Sequence, residues 1–403
     1  MPRWDSFIRF LEEVNQLTND VSRQQMVDEL LRERPHWPWV EGQLATFIYV
    51  GSDAKSVALN MDIIERDPPF EVMENLPGTN MWYLQRQFAP DDLLDYLIVV
   101  NDPMTSIRND PNLVERITRH WMHDELNPTR LRSAQTQTSV LQMPNARPFP
   151  NWETMKGVPR GQIREHDYSS VQMGFTDRRI WVYLPPGYED EPEREYPLLV
   201  LLDGQWMVGP LQVPFIADAL IKHGQMEPVI IAMKQSAGQA ARIRDYISND
   251  KHYAAILLEL LPLMQAEYRI DAINLGIGGA GVGAIAAAHA ALKNPAVFSH
   301  LIMLSPPLGK GQMQQKLVEY ADRFENAPAL PKRIFQSVGR YELSTRFYKP
   351  GLALAGILQR RQEQRGDVDH KFVELSSGHG LPAFKSIFPE ALVHTYPGAV
   401  LLG

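Results

Sequence analysis

A glycine-rich stretch between two short apolar segments is the feature that most constrains this chain. Residues 273–276 are predicted to form a strand, a cluster of glycines follows, and an alanine-rich helix begins near Val282. A second apolar strand is predicted at residues 300–304. An α/β protein uses a strand, a tight glycine turn and a helix to present either a nucleophile or a row of bare backbone N–H groups. The stretch therefore predicts where the functional site lies.

Two motifs match the spacing of these glycines. The nucleophile elbow, G-x-S-x-G, aligns with residues 279–283 and puts Gly281 where the motif has its serine. The dinucleotide fingerprint, G-x-G-x-x-G, aligns with Gly276, Gly278 and Gly281. The fingerprint also needs a carboxylate at the end of the next strand, and residues 304–307 read LSPP. The elbow is therefore favoured, and a dinucleotide site is the weaker alternative.

From residue 162 onward, predicted strands alternate with predicted helices. This alternation indicates the α/β class, with a mainly parallel sheet covered by helices on both faces. The predicted strands are residues 163–168, 179–184, 198–202, 229–233, 273–276, 300–304, 333–338 and 371–375. The predicted helices are residues 213–223, 251–268, 282–293, 313–323, 349–365 and 381–392. Sheets of this kind bind ligands at the carboxyl ends of their strands.

The first 160 residues have a different pattern. Residues 1–33 repeat apolar side chains at helical spacing, with Asn19 as a candidate cap between two helices. From residue 44 to about 101, short alternating segments separated by turn residues predict a small antiparallel sandwich. Residues 102–160 are rich in Pro, Asn and Arg and predict a connection with one helix at 112–123. We expect a helical segment at 1–40, a β-sandwich at 41–130, a linker at 131–160 and an α/β domain at 161–403.

Composition excludes several classes of function. The 403 residues contain no cysteine, which rules out disulfides, thiolate metal sites and cysteine nucleophiles. A net charge of −8 without a long run of Lys or Arg argues against a nucleic-acid partner. The chain has neither the roughly 18–20 uninterrupted apolar residues of a membrane helix nor a signal-peptide core at its start. We therefore expect a cytoplasmic protein that does not contact a membrane.

The other parts of a hydrolase site follow the elbow in the order expected, which is nucleophile, acid and histidine. Glu342 follows a late predicted strand and is the candidate acid. His379 lies between two glycines after the last predicted strand and is the candidate base. The loop that follows residues 198–202 would supply one backbone N–H to an oxyanion, and the start of the helix after the elbow would supply the other. The backbone N–H groups of Gln205 and Val282 are therefore the candidate oxyanion donors.

Several stretches together make the chain resemble the enterochelin (ferric-enterobactin) esterase family, within the wider group of esterases similar to esterase D. They are residues 82–83 after Gly78-Thr79, 124–128, 139–144, 201–204, 242–246, 259–262, the elbow through 294–298, 339–342 and 378–379. The resemblance runs from about residue 44 to 394. It implies an N-terminal immunoglobulin-like domain and an α/β-hydrolase domain. It also implies hydrolysis, in the cytoplasm, of esters of catechol siderophores or related compounds, without a metal or other cofactor.

The resemblance also suggests a ligand pocket. The candidate substrate-binding residues are Trp206, Arg242 and Ser305, and the expected partner is a small-molecule ester.

The chain departs from this family at the positions that matter most. Gly281 stands where the family has serine, and Gly380 stands where the family has an aspartate after the histidine. Phe384 lies near the position of a family tryptophan, and Asp245 replaces a glutamate. Loss of the nucleophile from a catalytic triad costs about 10⁶ in turnover. We therefore expect an esterase that is inactive with glycine at position 281.

Two explanations of the missing serine remain open. The chain is a natural non-catalytic hydrolase that keeps a ligand pocket, or an esterase in which Gly281 was introduced by substitution. Ser305 is the other hydroxyl near the turn, and we expect it to lack the strained strand-to-helix backbone of an elbow serine. The glycines at 279 and 283 should still allow the close packing of the turn, so the fold should survive.

Overall fold

The structure is a computed structural model and describes residues 2–64, 66–108, 110–132, 137–309 and 314–400. The chain divides into two compact units. The first unit contains residues 1–148 and 376–382, and the second contains residues 149–375 and 383–403. No helix in these described ranges combines the length and apolar character needed to cross a membrane.

The helices of the first unit are α1 (Phe7–Gln16), α2 (Asp20–Glu33) and α3 (Leu113–His120). Helix α1 buries Phe7, Phe10 and Val14 along one face, as its apolar spacing predicts. Asn19 caps α2, because its side-chain oxygen accepts a hydrogen bond from the backbone N–H of Ser22 at 2.8 Å. This confirms the predicted pair of amphipathic helices at the start of the chain.

The strands of the first unit form two antiparallel sheets. They are β1 (Trp39–Glu41), β2 (Leu44–Val50), β3 (Val57–Met61), β4 (Phe70–Val72), β5 (Glu74–Asn75), β6 (Met81–Gln87), β7 (Leu93–Val100), β8 (Trp121–Met122), β9 (Arg130–Arg132) and β10 (Gln137–Gln142). One sheet has the order β1-β2-β6-β5, and the other has the order β4-β3-β7-β10-β9 with β8 beside β7. Phe47 of β2 and Tyr96 of β7 meet edge to face with ring centroids 4.9 Å apart, so the two sheets pack on each other.

The segment expected to be a linker from residue 131 differs from that expectation. Strand β10 pairs with β7, with Leu141 opposite Leu94, and residues 139–141 are buried. The polar run QTQT that precedes these residues hides the short apolar strand from a periodicity argument. The first unit accordingly extends to residue 148.

The second unit contains the predicted alternation of strands and helices. Its strands are β11 (Gln162–Ser170), β12 (Phe175–Leu184), β13 (Tyr196–Leu202), β14 (Ile230–Lys234), β15 (Ile270–Ala280), β16 (Phe298–Leu304), β17 (Arg333–Gly339) and β18 (Asp369–Leu375). Its helices are α4 (Gly204–Val208), α5 (Val213–Lys222), α6 (Gln239–Tyr246), α7 (Asp250–Ala255), α8 (Leu261–Glu267), α9 (Val282–Lys293), α10 (Gln314–Asn326), α11 (Lys349–Arg365) and α12 (Leu381–Thr395), of which α12 begins with two residues of the first unit. Short 3₁₀ turns lie at Trp152–Thr154 and Tyr188–Asp190, and π-helical turns lie at Ile256–Leu260 and Ser344–Tyr348. Residue 313, the first of one predicted helix, lies outside the described residues.

The sheet of the second unit has the order β11-β12-β14-β13-β15-β16-β17-β18. Strand β12 pairs antiparallel with β11 and β14, and each neighbouring pair from β14 to β18 is parallel. Strands β13 and β16 are buried along their whole length, which explains their continuous apolar sequences. Because the parallel strands share one direction, the residues that follow them come to one edge of the sheet.

Candidate active site

The carboxyl edge of the sheet brings most of the candidate residues together. Asp203, Gln205 and Trp206 follow β13, Gly281 follows β15, and Ser305 follows β16. Glu342 follows β17, and its own side chain is buried. This edge is where α/β sheets bind their ligands, so these residues define the candidate site of the second unit.

Gly281 occupies the turn between β15 and α9, and its backbone has φ +56° and ψ −123°. Its N–H donates to the carbonyl of Leu304 at 2.8 Å, which holds the turn against the neighbouring strand. An L-residue is strained at a positive φ of this kind, and such strain is what exposes the nucleophile of an elbow. Glycine adopts the conformation at little cost. The turn therefore has the strained backbone conformation expected of an elbow, and the residue at its centre has no side chain.

The glycines on either side of the turn are required by close packing. A Cβ on Gly279 would lie 2.6 Å from the backbone carbon of Gly283, and a Cβ on Gly283 would lie 2.7 Å from Oδ2 of Asp203. This confirms the expected packing role of both residues.

The structure contradicts the dinucleotide alternative at its first two glycines. Gly276 and Gly278 lie inside strand β15 and not in a turn. A Cβ on Gly276 would come within 2.3 Å of the hydroxyl of Tyr396, and a Cβ on Gly278 within 2.8 Å of Cβ of Ile302. These glycines are needed because neighbouring side chains fill the space, so the spacing that matched a phosphate-binding turn arises from packing within the sheet.

A buried ion pair supports the turn. Arg242 donates from Nε to Oδ1 of Asp203 at 2.6 Å and from Nη2 to Oδ2 at 2.7 Å. Its Nη2 also donates to the carbonyl of Ala280, the residue before Gly281, at 3.3 Å. Asp203 itself sits at φ +63° and directly precedes α4. The pair therefore joins the loop after β13 to helix α6 and to the elbow, and a substrate contact by Arg242 stays a prediction.

The two candidate oxyanion donors lie at the starts of helices. Val282 is the first residue of α9 and Gln205 is the second residue of α4, and N–H groups in the first helical turn have no acceptor within the helix. The side chain of Gln205 is held by Ser236, donating to Oγ at 2.7 Å and accepting from the backbone N–H at 3.2 Å. This anchoring fixes the loop that presents the backbone of Gln205.

Trp206 and Ser305 complete the candidates of this edge. The ring of Trp206 lies 4.8 Å from the guanidinium carbon of Arg242, an arrangement that permits a cation–π interaction. Ser305 is fully buried, and its Oγ has no hydrogen-bond partner among the described residues. Its backbone has φ +48°, a conformation that is strained for a serine, but the expectation that it lacks the strand-to-helix turn of an elbow is confirmed. The chain continues after it through Pro306 and Pro307 without a helix, so it is not an elbow.

A buried basic group near this edge was missed at the sequence level. Lys234 ends β14 with its side chain fully buried, and its Nζ lies 3.3 Å from Nε2 of His252. Burial lowers the pKa of Lys234 to about 8, and burial together with Lys234 lowers the pKa of His252. A lysine inside an apolar strand carries no sequence signal of this environment.

Among the described residues, no group of three or more His, Asp or Glu side chains could hold a metal ion.

His379 lies on the loop after β18, in the segment that belongs to the first unit. Its backbone N–H donates to Oδ2 of Asp62 at 2.9 Å. Glu342 lies in the second unit, where its N–H donates to the carbonyl of Gly339 at 3.2 Å. The pairing of His379 with Glu342 stays a prediction from chain order.

The partly buried carboxyl of Asp95 in β7 lies beside the same loop, where Gly380 approaches it closely. Loss of hydration and the neighbouring Asp62 raise the pKa of Asp95 to about 7, and His379 opposes this shift. A carboxyl whose pKa is raised on folding stabilises the folded state at low pH, and that contribution is lost as the pH rises from about 4 to about 7.

Asp95→Asn should therefore flatten the pH dependence of stability. Between about pH 4 and about pH 7, the free energy of unfolding of the unmodified protein should fall relative to that of the variant. Urea unfolding of both proteins at each pH measures this difference and cancels the titration of the 11 histidines. Parallel curves for the two proteins would contradict the raised pKa.

The fold and the turn at Gly281 define a class, the α/β-hydrolase-type proteins that carry an additional N-terminal domain. The chain belongs to the family described as "Putative esterase", whose model matches residues 170–394. A second family model, "Enterochelin esterase, N-terminal", matches residues 46–152. Both confirm the resemblance seen in the sequence.

Relatives of known identity are similar over part of the chain. The iron(III) enterobactin esterase of Escherichia coli K12 is 24% identical over 264 residues, which cover 61% of this chain and 64% of that protein. The iron(III) enterobactin esterase of Yersinia enterocolitica is 22% identical over 265 residues, covering 60% of this chain and 74% of that protein. The chain thus matches less than two thirds of the length of the E. coli relative.

Two solved structures share the fold over most of the chain. An enterobactin esterase from Shigella flexneri, crystallised in the presence of enterobactin, has a TM-score of 0.74 at 21% identity, covering 89% of this chain and 95% of that one. A ferric enterobactin esterase from Salmonella typhimurium has a TM-score of 0.74 at 19% identity, covering 91% and 98%. At this level of identity the likeness establishes the fold alone.

Proposed function

We propose that this protein is an esterase-type hydrolase of the enterobactin-esterase kind that binds a small-molecule ester and, as written, hydrolyses it only at background rate. The observation that carries the proposal is Gly281. It has the backbone conformation of an elbow between β15 and α9, and it has no side chain to attack a carbonyl. The oxyanion donors and the ligand-binding surface do not depend on that side chain. The protein should therefore still bind its ligand although it cannot hydrolyse it.

The remaining roles follow from chain order and from the contacts of each residue. The backbone N–H groups of Val282 and Gln205 would stabilise an oxyanion, and His379 would act as the base with Glu342 as its acid partner. Trp206 and Ser305 would line the ligand-binding pocket. Without a serine, the remaining route is attack by a water molecule from which His379 removes a proton, which is slow. The proposal requires no metal or other cofactor.

The ligand class is taken from the relatives. The enterobactin esterase from Shigella flexneri was crystallised in the presence of enterobactin and in the presence of 2,3-dihydroxy-N-benzoyl-glycine. We extend this chemistry to the present chain as a catechol-bearing ester of the siderophore type. A non-catalytic binding or regulatory role for the same pocket is the second candidate, and the missing nucleophile favours it.

The domain organisation of the chain and its location in the cell are also part of the proposal. We propose a helical segment at residues 1–40, an immunoglobulin-like sandwich that begins near residue 41, and a hydrolase domain of mainly parallel strands that begins near residue 161. The protein would act in the cytoplasm on a small molecule, with no nucleic-acid or membrane partner.

Binding without turnover is the expected result for the unmodified protein. Calorimetry with enterobactin should give saturable binding, while hydrolysis of simple aryl esters should match the buffer rate because no nucleophile is present. NAD and NADP serve as negative controls and should not bind. Strong esterase activity would show that another group performs the chemistry, and loss of that activity in Ser305→Ala would identify it.

A further inference from the structure

The glycines on either side of His379 are forced by two carboxylates of the first unit. A Cβ on Gly378 would lie 2.2 Å from Oδ2 and 2.6 Å from Cβ of Asp62. A Cβ on Gly380 would lie 2.3 Å from Oδ1 of Asp95. Contacts this short do not occur with real Cβ atoms, so only glycine fits at either position without a shift of Asp62 or Asp95.

Hydrogen bonds hold the same loop, residues 376–380, in place. The hydroxyl of Ser376 donates to Oδ1 of the buried Asp92 at 2.5 Å, and the hydroxyl of Ser377 donates to the carbonyl of Leu93 at 2.6 Å. The N–H of Leu93 donates to the carbonyl of Ser376 at 3.0 Å. Oδ2 of Asp92 is itself fixed by the N–H of Ala89 at 2.9 Å. Ser376, Ser377 and His379 are therefore each hydrogen-bonded to another part of the first unit, His379 through the bond from its N–H to Asp62.

We propose that Asp62, Asp92 and Asp95 are positioning residues for His379. Asp92 anchors the start of the loop through Ser376, Asp62 fixes the backbone at the histidine itself, and Asp95 packs against the glycine that follows. Carboxylates that accept hydrogen bonds from N–H and O–H groups form bonds stronger than neutral ones, and a rigid scaffold suits a base that must be placed accurately. The catalytic part of this proposal rests on the proposed function, in which His379 is the base.

The backbone part is tested without any assay of activity. In Asp62→Ala, hydrogen exchange of the His379 amide should speed up about tenfold or more because its acceptor is gone. Asp92→Ala should likewise speed up hydrogen exchange of the Leu93 amide. Its acceptor is the carbonyl of Ser376, and Asp92 holds Ser376 in place. Asp53→Ala removes an exposed carboxylate of the same unit and should change neither rate. Unchanged exchange in both test variants would overturn the proposal.

The packing of Asp95 against the loop is tested by compensation. Gly380→Ala should accelerate exchange of the loop amides because its Cβ collides with the Asp95 carboxylate. Gly380→Ala combined with Asp95→Ala should return the rates toward those of Asp95→Ala alone, because the colliding atoms are absent. Additive effects in the double variant would show that Asp95 does not constrain the loop.

The catalytic part is tested in a protein that carries Gly281→Ser. There, Asp62→Ala should lower kcat about tenfold or more while KM stays within about twofold, because the base is misplaced and the ligand surface is untouched. Asp53→Ala should leave both constants unchanged. An equal change in kcat and KM would assign Asp62 a general structural role and overturn the positioning role. If Gly281→Ser itself shows no activity, the proposed function fails, and the exchange measurements still decide whether these carboxylates hold the loop.

Discussion

Gly281→Ser is expected to raise kcat/KM for aryl esters by about 10³-fold or more over the unmodified protein. The reason is that the backbone at this position already has the φ and ψ of an elbow, so the new hydroxyl would project from the turn without rearrangement of β15 or α9. The N–H of Val282 already lies at the start of α9, where it has no acceptor within the helix. Steady-state hydrolysis of p-nitrophenyl acetate by the two proteins measures the gain.

Two further variants separate this explanation from an unspecific effect. Gly281→Ala introduces the same backbone strain without a hydroxyl and should stay at the buffer rate. Gly281→Ser combined with His379→Ala should lose the gain, because a base must take the serine proton. Activity in the alanine variant, or full activity without His379, would reject the assigned roles. Equal low activity in all the variants would favour the non-catalytic binding protein.

The strain at position 281 also predicts a modest loss of stability in both variants. A residue with a side chain in this conformation costs about 1–3 kcal/mol. The serine and alanine variants should lose similar amounts, so their difference in activity cannot come from folding.

Much of the second unit could be predicted from its pattern of apolar residues. The predicted helices at 282–293 and 349–365 coincide with α9 and α11. The strands at the sheet centre are continuous apolar runs because both faces are covered, and such runs are easily recognised. Strand β10 and helices α4 and α6 were missed because they are short or mix polar residues into half-buried positions, where a few tertiary contacts decide the conformation.

The candidate site likewise contains features that the sequence predicts and features that it does not. The turn at Gly281 was predicted because a strand, a glycine cluster and a helix leave a local signature in the sequence. The bond between Arg242 and Asp203 joins residues 39 positions apart, and nothing local to either residue indicates it. The carboxylates that contact the loop of His379 are still more distant in sequence, with Asp62 and His379 separated by 317 positions. Contacts of this kind depend on the completed fold and not on local pattern.

Arg242→Met is expected to destabilise the protein by about 3–5 kcal/mol, because it leaves a buried carboxylate without its partner. The side chain of Asp203 is fully buried and that of Arg242 is 6% exposed, so water cannot replace the lost interaction. The variant also loses the bond to the carbonyl of Ala280, and the elbow should become more mobile as a result. Chemical denaturation of both proteins at about pH 7 measures the difference in the free energy of unfolding.

The matched control lies on the same helix. Arg244 has a side chain that is 75% exposed, and Arg244→Met should change stability by no more than about 0.5 kcal/mol. Asp203→Asn combined with Arg242→Met should recover part of the loss, because a neutral amide is cheaper to bury than a lone carboxylate and asparagine tolerates the positive φ of this position. Equal losses for Arg242→Met and Arg244→Met would show that the pair does not secure the elbow. A double variant as unstable as the single one would show that the cost of Arg242→Met comes from lost packing against Trp206 and not from the unpaired charge.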